Sequence, residues 1–103
     1  TTISAYSAAA IDLPFIGTRF FNTAGGSGTE ESITIKKDRS TIIKVHGKTG
    51  TVIEYKGKFR NPILLEDGSG WLFKGNKVYS LEHGKIMHGC RGDNDECDSE
   101  LHK

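Results

Sequence analysis

Histidine and cysteine are the side chains of this chain best suited to binding a metal, and they fall in or beside turns. The histidines are His46, His83, His88 and His102. None of them has the i, i+4 helical spacing of a zinc pair, and His88 with Cys90 and Cys97 matches no common zinc site. The acidic run at 93–98 lacks the glycine and the distal glutamate of an EF-hand loop. The sequence therefore predicts no metal and no cofactor.

Catalytic side chains show no recognisable arrangement either. Covalent catalysis needs a nucleophile beside a base, and hydrolysis by acid–base catalysis needs two carboxylates in one cleft. The candidates here fall in separate polar turns, and the glycine-rich stretch 25–28 lacks the lysine and the strand-to-helix context of a phosphate-binding loop. We therefore expect a protein without catalytic residues, which binds a partner rather than acting as an enzyme.

Two cysteines, Cys90 and Cys97, lie close together in a polar segment near the C-terminal end. Exposed free thiols in such a segment would be reactive, so we expect a Cys90–Cys97 disulfide and a secreted or periplasmic location. The enclosed loop contains Arg91, Gly92 and Asp93, a tripeptide that some integrin ligands present from a tight turn. An extracellular adhesion protein is therefore an alternative function, although Gly-Asp is also ordinary turn chemistry.

Composition favours one small antiparallel β domain. The chain has 103 residues, of which 35% are hydrophobic and 13 are glycine, as suits a sheet with one solvated face and many turns. The net charge is +1, so no overall field attracts the chain to nucleic acid or to an anionic membrane. No apolar run reaches the ~18 residues of a membrane-spanning helix. We expect the basic stretch 36–60 to be a solvated face.

Alternating apolar residues and regular turn signals predict about seven or eight short strands. Gly75-Asn76 and His83-Gly84 are typical of two-residue hairpin turns. In the strand that precedes Gly57, the alternation points Ile53 and Tyr55 inward. Successive short loops favour a meander, and closure would remove the sheet edges. We therefore predict an all-β fold, a small antiparallel up-and-down barrel with a short irregular or helical N-terminal segment.

The chain is interpreted as a single domain, 1–103. Residues 1–15 form a poorly structured segment, and its small residues could be the cleavage end of a signal peptide. A frayed terminus is the alternative interpretation of the same residues. Residues 90–103 form a polar tail that holds both cysteines. The pattern indicates no oligomeric state.

The stretch from Trp71 to Cys90 resembles the C-terminal hairpins of a known family. A strand with Trp71 ends at Lys74-Gly75, an apolar strand 78–81 follows, and Gly84-Lys85 turns into a last strand that ends at Cys90. This order resembles the periplasmic and membrane-bound inhibitors of c-type lysozyme. The resemblance implies a barrel that inserts a serine and a lysine from neighbouring loops into the cleft of the enzyme.

Lys74 is the family residue that this sequence matches directly. The family's Ser-Gly-x-x-Tyr motif has a counterpart in 56–59 with lysine in place of serine, and the family's N-terminal cysteine has no equivalent. Ser69, Lys58 and Trp71 complete the predicted partner-binding set. The resemblance implies a protein partner, a c-type lysozyme or another secreted hydrolase, whose cleft carboxylates would pair with Lys74. A barrel that binds a small ligand is a further alternative.

Overall fold

The computed structural model describes residues 13–23, 30–90, 92 and 94–103. Its strands are β1 (Gly17–Phe21), β2 (Glu30–Ile35), β3 (Ser40–Gly47), β4 (Gly50–Lys58), β5 (Ile63–Leu64), β6 (Gly70–Lys74), β7 (Lys77–Glu82), β8 (Lys85–Ile86) and β9 (Asp98–Glu100). Within those ranges, no helix is long and apolar enough to cross a membrane.

The strands form two antiparallel sheets. The first has the order β1-β2-β3-β4, and the second has the order β5-β6-β7-β8 with β9 also paired to β7. The all-β antiparallel prediction is confirmed. The two predicted turns also occur, with positive φ angles of 56° at Gly75, 54° at His83 and 76° at Gly84. Such angles let a two-residue turn match the twist of the strands that it joins.

A backbone bridge connects the two sheets at their outer strands. Phe20 of β1 donates its N–H to the carbonyl of His102 over 2.7 Å and accepts the N–H of His102 over 3.0 Å. Since His102 closely follows β9, the two sheets form one continuous path of strands. Among the described residues, no ladder pairs β4 with β5. The path of strands is therefore open at that point.

The core lies between the two sheets and draws on both of them. Ile33 and Ile35 of β2 are fully buried, as strict alternation along a strand requires. The buried core residues are Phe21, Ile33, Ile35, Ile43, Phe59, Ile63, Trp71, Phe73, Val78 and Leu101. Because buried residues of both sheets belong to one cluster, packing between the sheets stabilises both.

Strand β4 departs from the predicted alternation. Ile53 is 55% exposed rather than inward-facing, so the prediction for this residue is wrong. The register shifts between Ile43 and Lys44, which pairs Ile43 with Tyr55 but Lys44 with Ile53 and leaves Glu54 as an extra residue. Val52 is 63% exposed as well, so both faces of β4 before the extra residue are exposed at this outer strand of the first sheet. Tyr55 packs against the core as predicted.

The C-terminal end holds the predicted disulfide. Cys90 and Cys97 are bonded, with their Cα atoms 5.5 Å apart. Cys97 accepts the N–H of Ser80 over 2.9 Å, and β9 and the buried Leu101 follow it. The expected polar tail at 90–103 thus contains a strand. The sequence does not indicate this strand, because its three residues are polar and the buried Cys97 and Leu101 lie on either side of them. Of the expected N-terminal segment 1–15, residues 1–12 lie outside the described residues.

The close approach of β5 to β6 gives a test of this fold. A Cβ atom on Gly70 would overlap the carbonyl oxygen of Ile63. We expect Gly70→Ala to lower the free energy of unfolding by about 2–4 kcal/mol, because backbone must move to admit the methyl group. Gly47→Ala is the control, since its nearest contact would be the carbonyl oxygen of Gly50 at 3.6 Å. Equal stability of the two variants in chemical denaturation would contradict the packing of β5 on β6.

Candidate functional site

The chain crosses from the first sheet to the second at Phe59, and Arg39 of the β2–β3 turn holds this crossing. The carbonyl of Arg39 accepts the N–H of Phe59 over 2.8 Å, and Nη2 of Arg39 donates to the carbonyl of Phe59 over 2.8 Å. Arg39 has a φ angle of 75°, a conformation that residues other than glycine seldom adopt. The hydrogen bonds to Phe59 offset the cost of that strained backbone.

The crossing is also fixed to β6. The rings of Phe59 and Phe73 pack with their centroids 5.5 Å apart and their planes at 51°. Asn61 donates from Nδ2 to the carbonyl of Phe73 over 2.7 Å and accepts its N–H at Oδ1 over 2.9 Å. Its amide thus pairs with the β6 backbone as a neighbouring strand would. Phe59 and Asn61 therefore fix the position of the crossing relative to β6.

An open pocket of about 690 Å³ lies at the crossing, and we call it the junction pocket. Its walls include the apolar residues Leu13, Pro14, Phe59 and Phe73 and the cations Arg39 and Arg60. This volume falls within the range of ~300–1,000 Å³ that is usual for small-molecule sites. The lining combines apolar surface with a small number of charged groups, as such sites commonly do.

The arginines of the junction pocket have no carboxylate partner among the described residues. The ion pairs present there join Lys77 to Asp98 and His102 to Glu30. Within the same ranges, Nε of Arg39 is the one buried side-chain nitrogen or oxygen atom without a hydrogen-bond partner. Both guanidinium charges are therefore uncompensated inside the described structure.

Asp38 is the carboxylate next to Arg39 in the chain, and it has other contacts. Its Oδ1 accepts the N–H of Ser40 over 2.9 Å. Hydrogen bonds from the Ser40 backbone and side chain hold the pKa of Asp38 below its ordinary value, and the charges of Lys58 and Lys36 lower it further. Asp38 thus interacts with Ser40 and with the neighbouring lysines.

Two predicted partner-binding residues, Lys58 and Lys74, lie beside the junction pocket. Lys58 precedes Phe59 and donates from Nζ to the carbonyl of Asp38 over 2.9 Å. Lys74 follows Phe73, and its Nζ lies 5.9 Å from the ring centroid of Tyr79. Both lysines are exposed, because each adjoins an inward-facing phenylalanine in extended backbone. We call Arg39, Lys58, Arg60 and Lys74 together the basic end.

The other two predicted partner-binding residues, Ser69 and Trp71, lie elsewhere. Ser69 immediately precedes β6, whereas Lys74 ends it, which separates their Cα atoms by roughly 17 Å at the rise of an extended strand. Oγ of Ser69 donates to Asp67 over 2.6 Å. Trp71 is 4% exposed and belongs to the core. Neither residue adjoins the basic end.

The alternative loop site lies largely outside the described residues. Arg91 and Asp93 belong to that undescribed part of the chain, and Gly92 between them is exposed with a φ angle of 88°. The disulfide that closes this loop is present. The adhesion alternative stays a prediction.

A second, smaller cleft of about 250 Å³ adjoins the start of β6, and its walls include Glu31, Glu54, Ser69 and Trp71. We call it the acidic cleft. Burial, and next the charge of Glu54, raise the pKa of Glu31 from 4.5 to about 7, against hydrogen bonds from Trp71 and Thr23 that lower it. Sequence analysis missed this pair because Glu31 and Glu54 lie on different strands, and nothing in the local pattern of either strand indicates that they share a cleft.

Metal-ligating side chains do not gather in the part of the chain that the structure describes. No group of three or more His, Cys, Asp or Glu residues there could hold a metal ion. Comparisons with protein-family models, with curated proteins and with solved structures found no match to this chain.

The acidic cleft predicts a pH dependence of stability. Because folding raises the pKa of Glu31 to about 7, its neutral form favours the folded state. This contribution is complete below about pH 4.5 and is lost as the pH rises through 7. The free energy of unfolding of the wild-type protein should fall by about 1–3 kcal/mol between pH 5 and pH 8, after allowance for the partial exposure of Glu31. We expect Glu31→Gln to abolish this fall.

Urea denaturation at several pH values measures this effect, and the carboxyl carbon signal of Glu31 in NMR gives its pKa directly. Glu54→Gln should lower the pKa of Glu31, because it removes a neighbouring negative charge. Glu66→Gln, at an exposed position, serves as the control and should retain the wild-type slope. A Glu31 titration close to its ordinary pKa would contradict the burial of this carboxyl.

Proposed function

We propose that this chain is a secreted or periplasmic binding protein that docks its basic end onto an acidic site of a protein partner. The observation that carries the proposal is the absence of a carboxylate partner for Arg39 and Arg60 among the described residues, beside the exposed Lys58 and Lys74. The cations of the basic end outnumber Asp38, the carboxylate next to Arg39 in the chain. This excess gives a near-neutral chain a local positive potential, which steers an acidic partner towards that end. This role is binding rather than catalysis.

The β6–β7 hairpin supports a docking role for Lys74. Lys74 pairs with Lys77 across the turn, and Lys77 in turn contacts Asp98 over 3.4 Å. The carbonyl of Asn76 accepts the N–H of Leu101 over 2.8 Å, which fixes the hairpin tip to the end of β9. Lys74 is thus presented from an anchored turn, so little backbone freedom is lost when it binds.

The partner class follows from the resemblance to the inhibitors of c-type lysozyme. In the proposed complex, Lys74 pairs with the cleft carboxylates of a lysozyme or another secreted hydrolase, and the body of the protein blocks access of substrate. The Cys90–Cys97 disulfide supports the compartment, because such bonds persist where secreted hydrolases act.

Calorimetric titration into a c-type lysozyme tests this proposal. We expect submicromolar affinity that falls as salt is raised, since charge pairs are screened. Lys74→Ala should weaken binding at least tenfold, which corresponds to about 1.4 kcal/mol. Lys85→Ala removes the same charge from the opposite end of the second sheet and should leave the affinity unchanged.

Each result of this titration has a defined meaning. An equal loss in Lys74→Ala and Lys85→Ala would show that overall charge, and not the basic end, governs binding. No heat at low or physiological salt would rule out the lysozyme partner. The same series, repeated with a second secreted hydrolase that has an acidic cleft, separates the general proposal from the lysozyme-specific one.

A further inference from the structure

We infer that the junction pocket binds a small organic carboxylate with an apolar body, whose carboxylate pairs with Arg39 and Arg60. The apolar body would lie against Leu13 and Pro14 and the edges of the two phenylalanine rings. This function goes beyond the docking of a protein partner, because the ligand enters the pocket by itself.

Arg39 carries a charge that no described carboxylate pairs with. A guanidinium stays protonated at any pH that the protein experiences, so Arg39 cannot neutralise itself when it is partly buried. Its Nε is buried and has no hydrogen-bond partner among the described residues, and no described carboxylate lies within ion-pair distance of the guanidinium. An anion would meet Arg39 where this residue lines the junction pocket. A partly buried and unpaired charge is costly. An incoming anion would remove part of that cost, which favours binding.

The guanidinium of Arg39 is held in a fixed position. Nη2 of Arg39 donates to the carbonyl of Phe59 over 2.8 Å, and this bond holds the guanidinium plane in place before a ligand arrives. Planar guanidinium groups match the two oxygens of a carboxylate, and preset donors lose little freedom on binding. Arg60 also lines the pocket and is exposed, so it supplies a second cation for the anion.

The size and the lining of the junction pocket favour a ligand with an apolar body. About 690 Å³ is far more space than a bare anion needs, and a pocket that is largely apolar favours a hydrocarbon group. The amide of Asn61 is already paired with the backbone of Phe73 at both its nitrogen and its oxygen. The amide therefore has a fixed position in the pocket wall. A carboxylate on an aromatic or aliphatic body would meet both the arginines and the apolar residues of the lining.

Titration with 3-phenylpropanoate, followed by NMR of the 15N-labelled protein, tests the inference. We expect saturable shifts in Arg39, Phe59 and Arg60, and at least tenfold weaker binding of the neutral analogue 3-phenylpropanamide. Acetate, which lacks the apolar body, should also bind at least tenfold more weakly. Equal affinity for the acid and the amide would overturn the inference.

Charge reversal provides the matched variants. Arg60→Glu should weaken 3-phenylpropanoate binding at least tenfold, and it changes an exposed side chain, so the fold is retained. Lys48→Glu makes the same change in charge in the β3–β4 turn, outside the junction pocket, and should leave the affinity unchanged. Arg39→Lys keeps the charge but removes the planar fork, and we expect it to weaken binding. Wild-type affinity in Arg60→Glu would overturn the assignment.

N-acetylphenylalanine distinguishes the two sources of such a carboxylate. Tighter binding of this probe than of 3-phenylpropanoate would support the pocket and assign it to the C-terminal residue of a peptide. Weaker binding would support it as a site for a free organic acid. These titrations contain no lysozyme, so their failure leaves the docking proposal intact, and failure of the docking proposal leaves them intact.

Discussion

The pairing of Arg39 with Phe59 is the constraint on which the described structure depends most. It fixes the left-handed backbone of the β2–β3 turn and the exit of β4 with one pair of hydrogen bonds. Phe59 then places its ring on Phe73, and Asn61 pairs with the β6 backbone. The relative position of the two sheets at this end follows from those contacts. The same arginine borders the junction pocket, so one residue joins the architecture to the proposed binding sites.

Charge is distributed unevenly around β6, although the net charge of the chain is only +1. Beyond its last residue, Lys74, lie the arginines of the junction pocket, which have no carboxylate partner within the described part of the chain. At its start lies the acidic cleft, where two glutamates on different strands face one space. Overall composition therefore conceals two local environments of opposite charge, each of which is produced by the packing of one sheet on the other. This separation is the physical basis of the proposed docking through one end.

Local patterns predicted the strands and turns, because they depend on near neighbours. Alternation placed Ile33 and Ile35 inside, and the positive φ angles at Gly75 and Gly84 follow from glycine itself. Contacts between distant residues were not predictable in this way. The exposure of both Val52 and Ile53 reflects the position of β4 at the edge of the first sheet, and the junction pocket depends on side chains far apart in the sequence. The separation of Ser69 from Lys74 could have been foreseen from strand length alone.

Arg39 holds the crossing through Phe59, and its charge is available to an anion in the junction pocket. The side-chain Nε–H signal of Arg39 in NMR reports both on this contact and on anion binding. In the free protein, a buried Nε predicts slow exchange of this proton with water. Addition of an anion that binds the basic end should shift the signal and slow its exchange further, with saturation at the affinity measured by calorimetry. A rapidly exchanging Nε–H in the free protein, or a signal unchanged at saturation, would contradict the account.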